Sequence, residues 1–183
     1  MKNNVLVRHL TLAGLLLALG IVLPQFVHAL PLANGGNILS PMHIPVLIAG
    51  FLLGGKYAVM IGILIPLFAF VLTGRPPIMP VGLSFMVELS LYGLTASLLY
   101  RKLFKGKVLI SLVGAMIIGR LGLAVFRYFL WPHFGMPFSF ELFFISAFVT
   151  ALPGIAIQLA LIPVIVQRLK PIYLSKGRSY RSR

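Results

Sequence analysis

Glu88 and Glu141 are the only acidic residues in a chain that carries 16 lysines and arginines, so any chemistry that needs a carboxylate rests on these two positions. Arg120 and Arg127 both sit inside a long apolar run, seven residues apart and therefore on nearly the same face of a helix. A charge at that depth in a membrane costs several kcal/mol unless it is partnered. Glu88 lies thirteen residues before Arg101, and Arg120 lies thirteen residues after Lys107. At 1.5 Å per residue both stand roughly 20 Å from the same boundary. The spacing predicts a contact between Glu88 and Arg120, direct or through a polar ligand or water. It serves either as a structural ion pair or as part of a ligand site. Two arginines on one face suit a polar or anionic guest. Tyr92, Phe85, Phe126, Phe143 and Phe144 read mainly as packing, with any on the Arg120 face able to stack on a flat ligand. Glu141 suits the start of a helix, where the dipole favours an acid.

Other chemistry is weaker. His28, His43 and His133 fall near one face of the expected bundle without the close helical spacing of a metal site, and His9 lies at the opposite end; no metal is expected. Ser40 and His43 are turn neighbours without a separate orienting acid, so no catalytic residue is expected. The absence of cysteine removes disulfides, thiolate metal sites and thiol nucleophiles.

The elements that must position these residues are membrane helices. The 183 residues are 60% hydrophobic and 10% charged, with mean hydropathy +1.04. Several runs approach the length that crosses about 30 Å of hydrocarbon. The fold class expected is an all-α membrane protein, a six-transmembrane-helix bundle with both termini cytoplasmic, comprising one domain over residues 1–170 and a basic tail over 171–183. The net charge of +14 does not point to nucleic acid, because the basic residues lie between apolar runs with no folded basic surface to carry them. Run one follows Arg8 and bends or ends at Pro24. It lacks a small-residue cleavage site and is followed by further spans, against a removable signal peptide. Run two is short, from His43 to Leu53. Runs three to five cover 57–72, 79–100 and 108–130. Run six covers 139–169 as one long helix bent near Pro153-Gly154.

Thirteen of the 16 basic residues fall at one end of such a bundle, among them Lys56, Arg101, Lys102, Lys105 and Lys107. The positive-inside rule makes that end cytoplasmic. Connections 24–42, 73–79 and 131–138 then face outward. The first holds Ala33-Asn34-Gly35-Gly36-Asn37, followed by Ile38-Leu39-Ser40-Pro41-Met42-His43, where polar side chains and free backbone groups meet the mouth of the bundle. Candidate ligand contacts are Asn34, Asn37, Ser40, His43, Arg75, Met79, Glu88, Tyr92, Arg120 and Arg127.

Leu39-Ser40-Pro41-Met42-His43-Ile44-Pro45, followed by Gly50, Gly54-Gly55-Lys56-Tyr57 and Gly62, resembles the substrate-specific S component of energy-coupling factor (ECF) vitamin transporters. Met79-Pro80 and Met86-Val87-Glu88-Leu89-Ser90-Leu91-Tyr92-Gly93 add to the resemblance, which covers almost the whole chain. It implies capture of a water-soluble vitamin or precursor from outside, of the hydroxymethylpyrimidine, pyridoxine or pantothenate class. It implies as partners a membrane coupling subunit and two cytoplasmic ATPase subunits, in a bacterial cytoplasmic membrane. This chain has no Walker motif and needs no cofactor of its own; the partner subunits hydrolyse ATP. The family's Ala-xxx-Ala contact to the coupling subunit corresponds here to Gly14-Leu15-Leu16-Leu17-Ala18, with Gly14 and Ala18 as the interface residues. A stand-alone membrane carrier or channel, with Glu88 and Arg120 gating a path, is the alternative. An intramembrane enzyme is a more remote one.

Overall fold

In lipid every backbone polar group must be satisfied within the chain, which favours helices throughout an apolar sequence. The computed structural model describes residues 2–29 and 35–178, and all regular structure among them is helical. Helix α1 spans Lys2–Ala29, α2 Gly35–Leu39, α3 His43–Leu52, α4 Gly55–Thr73, α5 Leu83–Leu98, α6 Val108–Leu130, α7 Phe140–Phe144 and α8 Leu152–Arg178. A wide turn, Ile78–Gly82, leads into α5, and another, Leu99–Leu103, extends it. Five segments are long and apolar enough to cross a membrane: 6–29, 55–73, 78–103, 108–134 and 152–171. His43–Leu52 and Phe140–Thr150 are shorter apolar helical segments.

The surface confirms the setting. Leu15, Leu19, Val22, Ile117, Leu121 and Val125 are exposed, whereas His43, Ser84, Glu88, Arg120 and Gln158 are buried. Apolar residues outside and charged ones inside suit hydrocarbon surroundings rather than water. The chain is a multi-pass membrane protein.

Two boundaries differ from the sequence expectation. Pro24 does not end the first helix; α1 continues through it to Ala29. One lost backbone hydrogen bond is tolerated where neighbouring helices support the segment. The sixth run is not one bent helix. It breaks at Ala151 into the Phe140–Thr150 segment and α8. Pro153 is the physical reason, since its ring and missing N–H fit the first turn of a new helix but not the interior of a continuing one. The backbone of α8 then runs on to Arg178, through the first part of the expected tail.

Helices α3, α4 and α5 form the centre, and small residues let them approach. A Cβ at Gly50 would lie 2.5 Å from the Gly93 carbonyl oxygen, and one at Gly93 would lie 2.5 Å from the Ala58 Cβ. Gly62 meets the α5 backbone at Leu89 and Ser90 with similar closeness. Around them Val46, Leu47, Ile61, Ile65, Leu89 and Leu112 form the buried core. Near one end of the bundle, Arg101 packs on Gly54, Lys170 lies over the Tyr100 ring, and His9 meets Tyr57 edge-on. The start of α1, the turn into α4, the α5–α6 turn and the later part of α8 therefore share that end. The remaining connections gather at the other end.

Because Gly93 faces backbone and side chains of two helices, Gly93→Val should overpack the centre by about 1–3 kcal/mol. A fall in the melting temperature of the detergent-solubilised protein checks this; an unchanged value would mean that α3, α4 and α5 do not meet there.

Candidate ligand-binding site

The polar residues inside the bundle follow helical spacing. On α5, Ser84, Glu88 and Tyr92 recur every four residues, and all three are buried. On α6, Arg120, Leu123 and Arg127 recur at intervals of three and four and line one cavity with Glu88. The cavity is about 530 Å³ in volume and lies at the end opposite the basic turns. Its walls include Gln25 and His28 from α1, Ser40 and His43 at the start of α3, Arg75 after α4, and Phe143 and Ser146 beyond α6. A cleft of this size between helices matches the scale of small-molecule sites.

His43 anchors the floor. It is 5% exposed, and its Nδ1 stands 3.1 Å from the Ser40 carbonyl oxygen. Its Nε2 stands 3.3 Å from Oε1 of Glu88, which is 6% exposed. The ring meets Tyr92 edge-on at 4.9 Å. Both ring nitrogens thus face oxygen atoms. The Ser40 carbonyl is aimed by a left-handed backbone, φ 44°, and also accepts from Gln158 Nε2 of α8 at 3.4 Å. Gly154 makes this docking possible, for a Cβ there would stand 2.5 Å from the Ile38 carbonyl oxygen.

The expected direct contact between Glu88 and Arg120 is not formed. Glu88 takes His43 instead, and Arg120 Nε donates to the Tyr92 hydroxyl at 2.9 Å. The reason is local packing. Tyr92 lies one turn along α5 from Glu88, and its ring covers Gly119, where a Cβ would be only 3.1 Å away. The hydroxyl is thereby presented to the neighbouring guanidinium. Glu88 and Arg120 nevertheless line the same cavity.

Arg127 is held differently. Its guanidinium lies 4.6 Å from the Trp131 ring centroid and 6.0 Å from that of Phe143. The Trp131 indole N–H donates to Ser84 Oγ at 3.1 Å, and Ser84 Oγ donates to the Pro80 carbonyl at 2.8 Å. This relay fixes the plane on which Arg127 rests.

Six of the sequence candidates line the cavity: Ser40, His43, Arg75, Glu88, Arg120 and Arg127. Tyr92 lies beneath it, fully covered, and supports Arg120. Met79 does not join the wall; it is 54% exposed. Its backbone is extended, as the residue before a proline prefers, and Pro80 rather than Met79 is buried. Asn34 lies outside the described residues, as does the side chain of Asn37. Gln25 and His28 are wall residues that the sequence candidates lack, since residues 24–42 read as an outward connection whereas α1 continues to Ala29. Polar residues three apart beyond an apolar run are the signal that would have found them. Trp131 also lines the cavity. Gly14 and Ala18 are exposed on α1, and no heavy atom lies within 4 Å of where a Gly14 Cβ would be. Among the described residues no three histidine, aspartate or glutamate side chains come together as a metal site.

A cavity with charged side chains set in a largely apolar wall, inside an apolar helical bundle, has the form of a small-solute site. The family model for the ECF transporter substrate-specific component matches residues 8–166. The chain belongs to that family. No curated protein and no solved structure matches it. As an ECF substrate-specific component it is a membrane transport protein of a substrate-binding family rather than an enzyme family. The matched span contains every wall residue of the cavity.

Tyr92→Phe removes the only hydroxyl that Arg120 Nε meets and leaves another buried N–H without an acceptor. The expected cost is about 1–3 kcal/mol, read as a lowered melting temperature of the purified protein. A variant as stable as the parent would mean that the Tyr92–Arg120 bond contributes nothing to the site.

Proposed function

We propose that this chain is the capture subunit of an ECF-type ABC transporter. It takes a water-soluble vitamin or precursor, of the hydroxymethylpyrimidine, pyridoxine or pantothenate class, from outside the cell. The observation that carries this reading is the cavity itself: set between helices, with Glu88, Arg120 and Arg127 in a largely apolar wall, and placed at the end away from the basic turns. The positive-inside rule makes the basic end cytoplasmic. With His43–Leu52 counted as a short second span, six crossings put both termini on that side and open the cavity outward. The membrane is the bacterial cytoplasmic membrane.

Transport against a gradient then depends on partners. A membrane coupling subunit and two cytoplasmic ATPase subunits supply the energy, and no cofactor is held by this chain. The exposed face at Gly14 and Ala18 is the proposed contact with the coupling subunit. Small residues there allow close helix approach in lipid, where association relies on packing. No wall residue is assigned a catalytic role.

Three measurements test the reading. Coexpression with ATPase and coupling subunits should yield a stable complex that Gly14→Leu/Ala18→Leu weakens while ligand binding persists. Solute uptake by the purified chain alone in proteoliposomes would contradict it. Arg120→Ala should abolish vitamin binding in a thermal-shift screen while the protein still expresses; unchanged affinity would restrict Arg120 to a structural role.

A further inference from the structure

Four charged side chains on the cavity do not balance. Arg75, Arg120 and Arg127 face it together with a single carboxylate, Glu88. The other acidic residue, Glu141, is exposed and absent from the wall. Glu88 already faces His43, with Nε2 3.3 Å from Oε1, and one carboxylate cannot balance three guanidiniums. An excess of positive charge therefore remains around Arg120 and Arg127. Burying cations in excess of their counter-charge is costly, and the other acid, Glu141, lies off the cavity.

Both guanidiniums also keep unused donors. Arg120 is 4% exposed, and its Nη1 is buried without a hydrogen-bond acceptor among the described residues. Arg127 Nε is buried in the same condition. Aromatic faces hold the two groups in place: Phe148 lies 5.2 Å from Arg120, and Trp131 lies 4.6 Å from Arg127. Such contacts attract the cation through the ring face and consume none of its in-plane N–H groups. The relay from Trp131 through Ser84 to the Pro80 carbonyl keeps one of those faces from turning. Two arginines are thus oriented and charged, with N–H groups left for an acceptor.

We propose that the cargo is a small organic anion whose carboxylate or phosphate oxygens take the free N–H groups of Arg120 and Arg127. Its own hydroxyl or amine donors face the Glu88 carboxylate. The proposal rests on the capture reading and deepens it by assigning the charge of the cargo. A guanidinium fork matches either oxyanion, so the two are separated by experiment. A neutral ring alone would satisfy donors but leave the positive charge in place.

The test uses the full chain in detergent and three matched pairs: pantothenate with panthenol, nicotinate with nicotinamide, and pyridoxal 5′-phosphate with pyridoxal. Melting temperature and titration calorimetry are measured for each. The expected result is that the anion of at least one pair binds about tenfold or more tightly than its neutral partner. Whether that pair carries a carboxylate or the phosphate identifies the group. Arg127→Gln should then weaken the anion by about 10- to 100-fold, the range of a lost charge-assisted hydrogen bond, and change the neutral partner by less than about threefold. Arg127→Lys, which keeps the charge but not the fork, should fall between the two with an unchanged melting temperature. Neutral partners binding as tightly as their anions, or no anion binding at millimolar concentration, would overturn the proposal. Either outcome leaves complex formation with the ATPase subunits intact, so failure of the charge assignment is distinct from failure of the capture reading.

Discussion

The pairing of His43 with Glu88 is the interaction on which the interior depends. It joins the start of α3 to the middle of α5 and ties both, through the Ser40 carbonyl, to Gln158 on α8. It also occupies the one carboxylate that could have neutralised the arginines of α6. Had Glu88 reached Arg120, the bundle would hold a closed ion pair and a smaller demand for a partner. Because it reaches His43, the α6 guanidiniums are left to aromatic faces and to one tyrosine hydroxyl.

Positions of helices follow from the same economy. Glycines at 50, 62 and 93 bring α3, α4 and α5 close enough for His43, Glu88 and Tyr92 to meet. Lipid supplies no hydrophobic drive between helices, so this closeness depends on shape. The outer apolar faces suit lipid, and Gly14 and Ala18 of α1 are exposed, with no heavy atom among the described residues within 4 Å of a Gly14 Cβ.

Much of this was legible in the sequence. Apolar run lengths gave the membrane class, and α6 matches its run from Val108 to Leu130. Charge spacing brought Glu88, Arg120 and Arg127 to one cavity. Their pairing was not legible, because run depth is one-dimensional and cannot say which neighbour reaches a carboxylate first. His43 starts a short helix whose lateral position no periodicity reveals. Prolines misled in two ways: Pro24 is carried within a helix, whereas Pro153 starts one. Only the fold shows the Trp131 indole turned toward Ser84.

The most direct measurement is an experimental structure of the protein with the water-soluble vitamin that stabilises it most. The expected result is cargo density inside the cavity, in contact with Arg120 and Arg127 and within reach of Glu88. Cargo bound elsewhere, or seated in the cavity with both guanidiniums untouched, would contradict the assignment of this site.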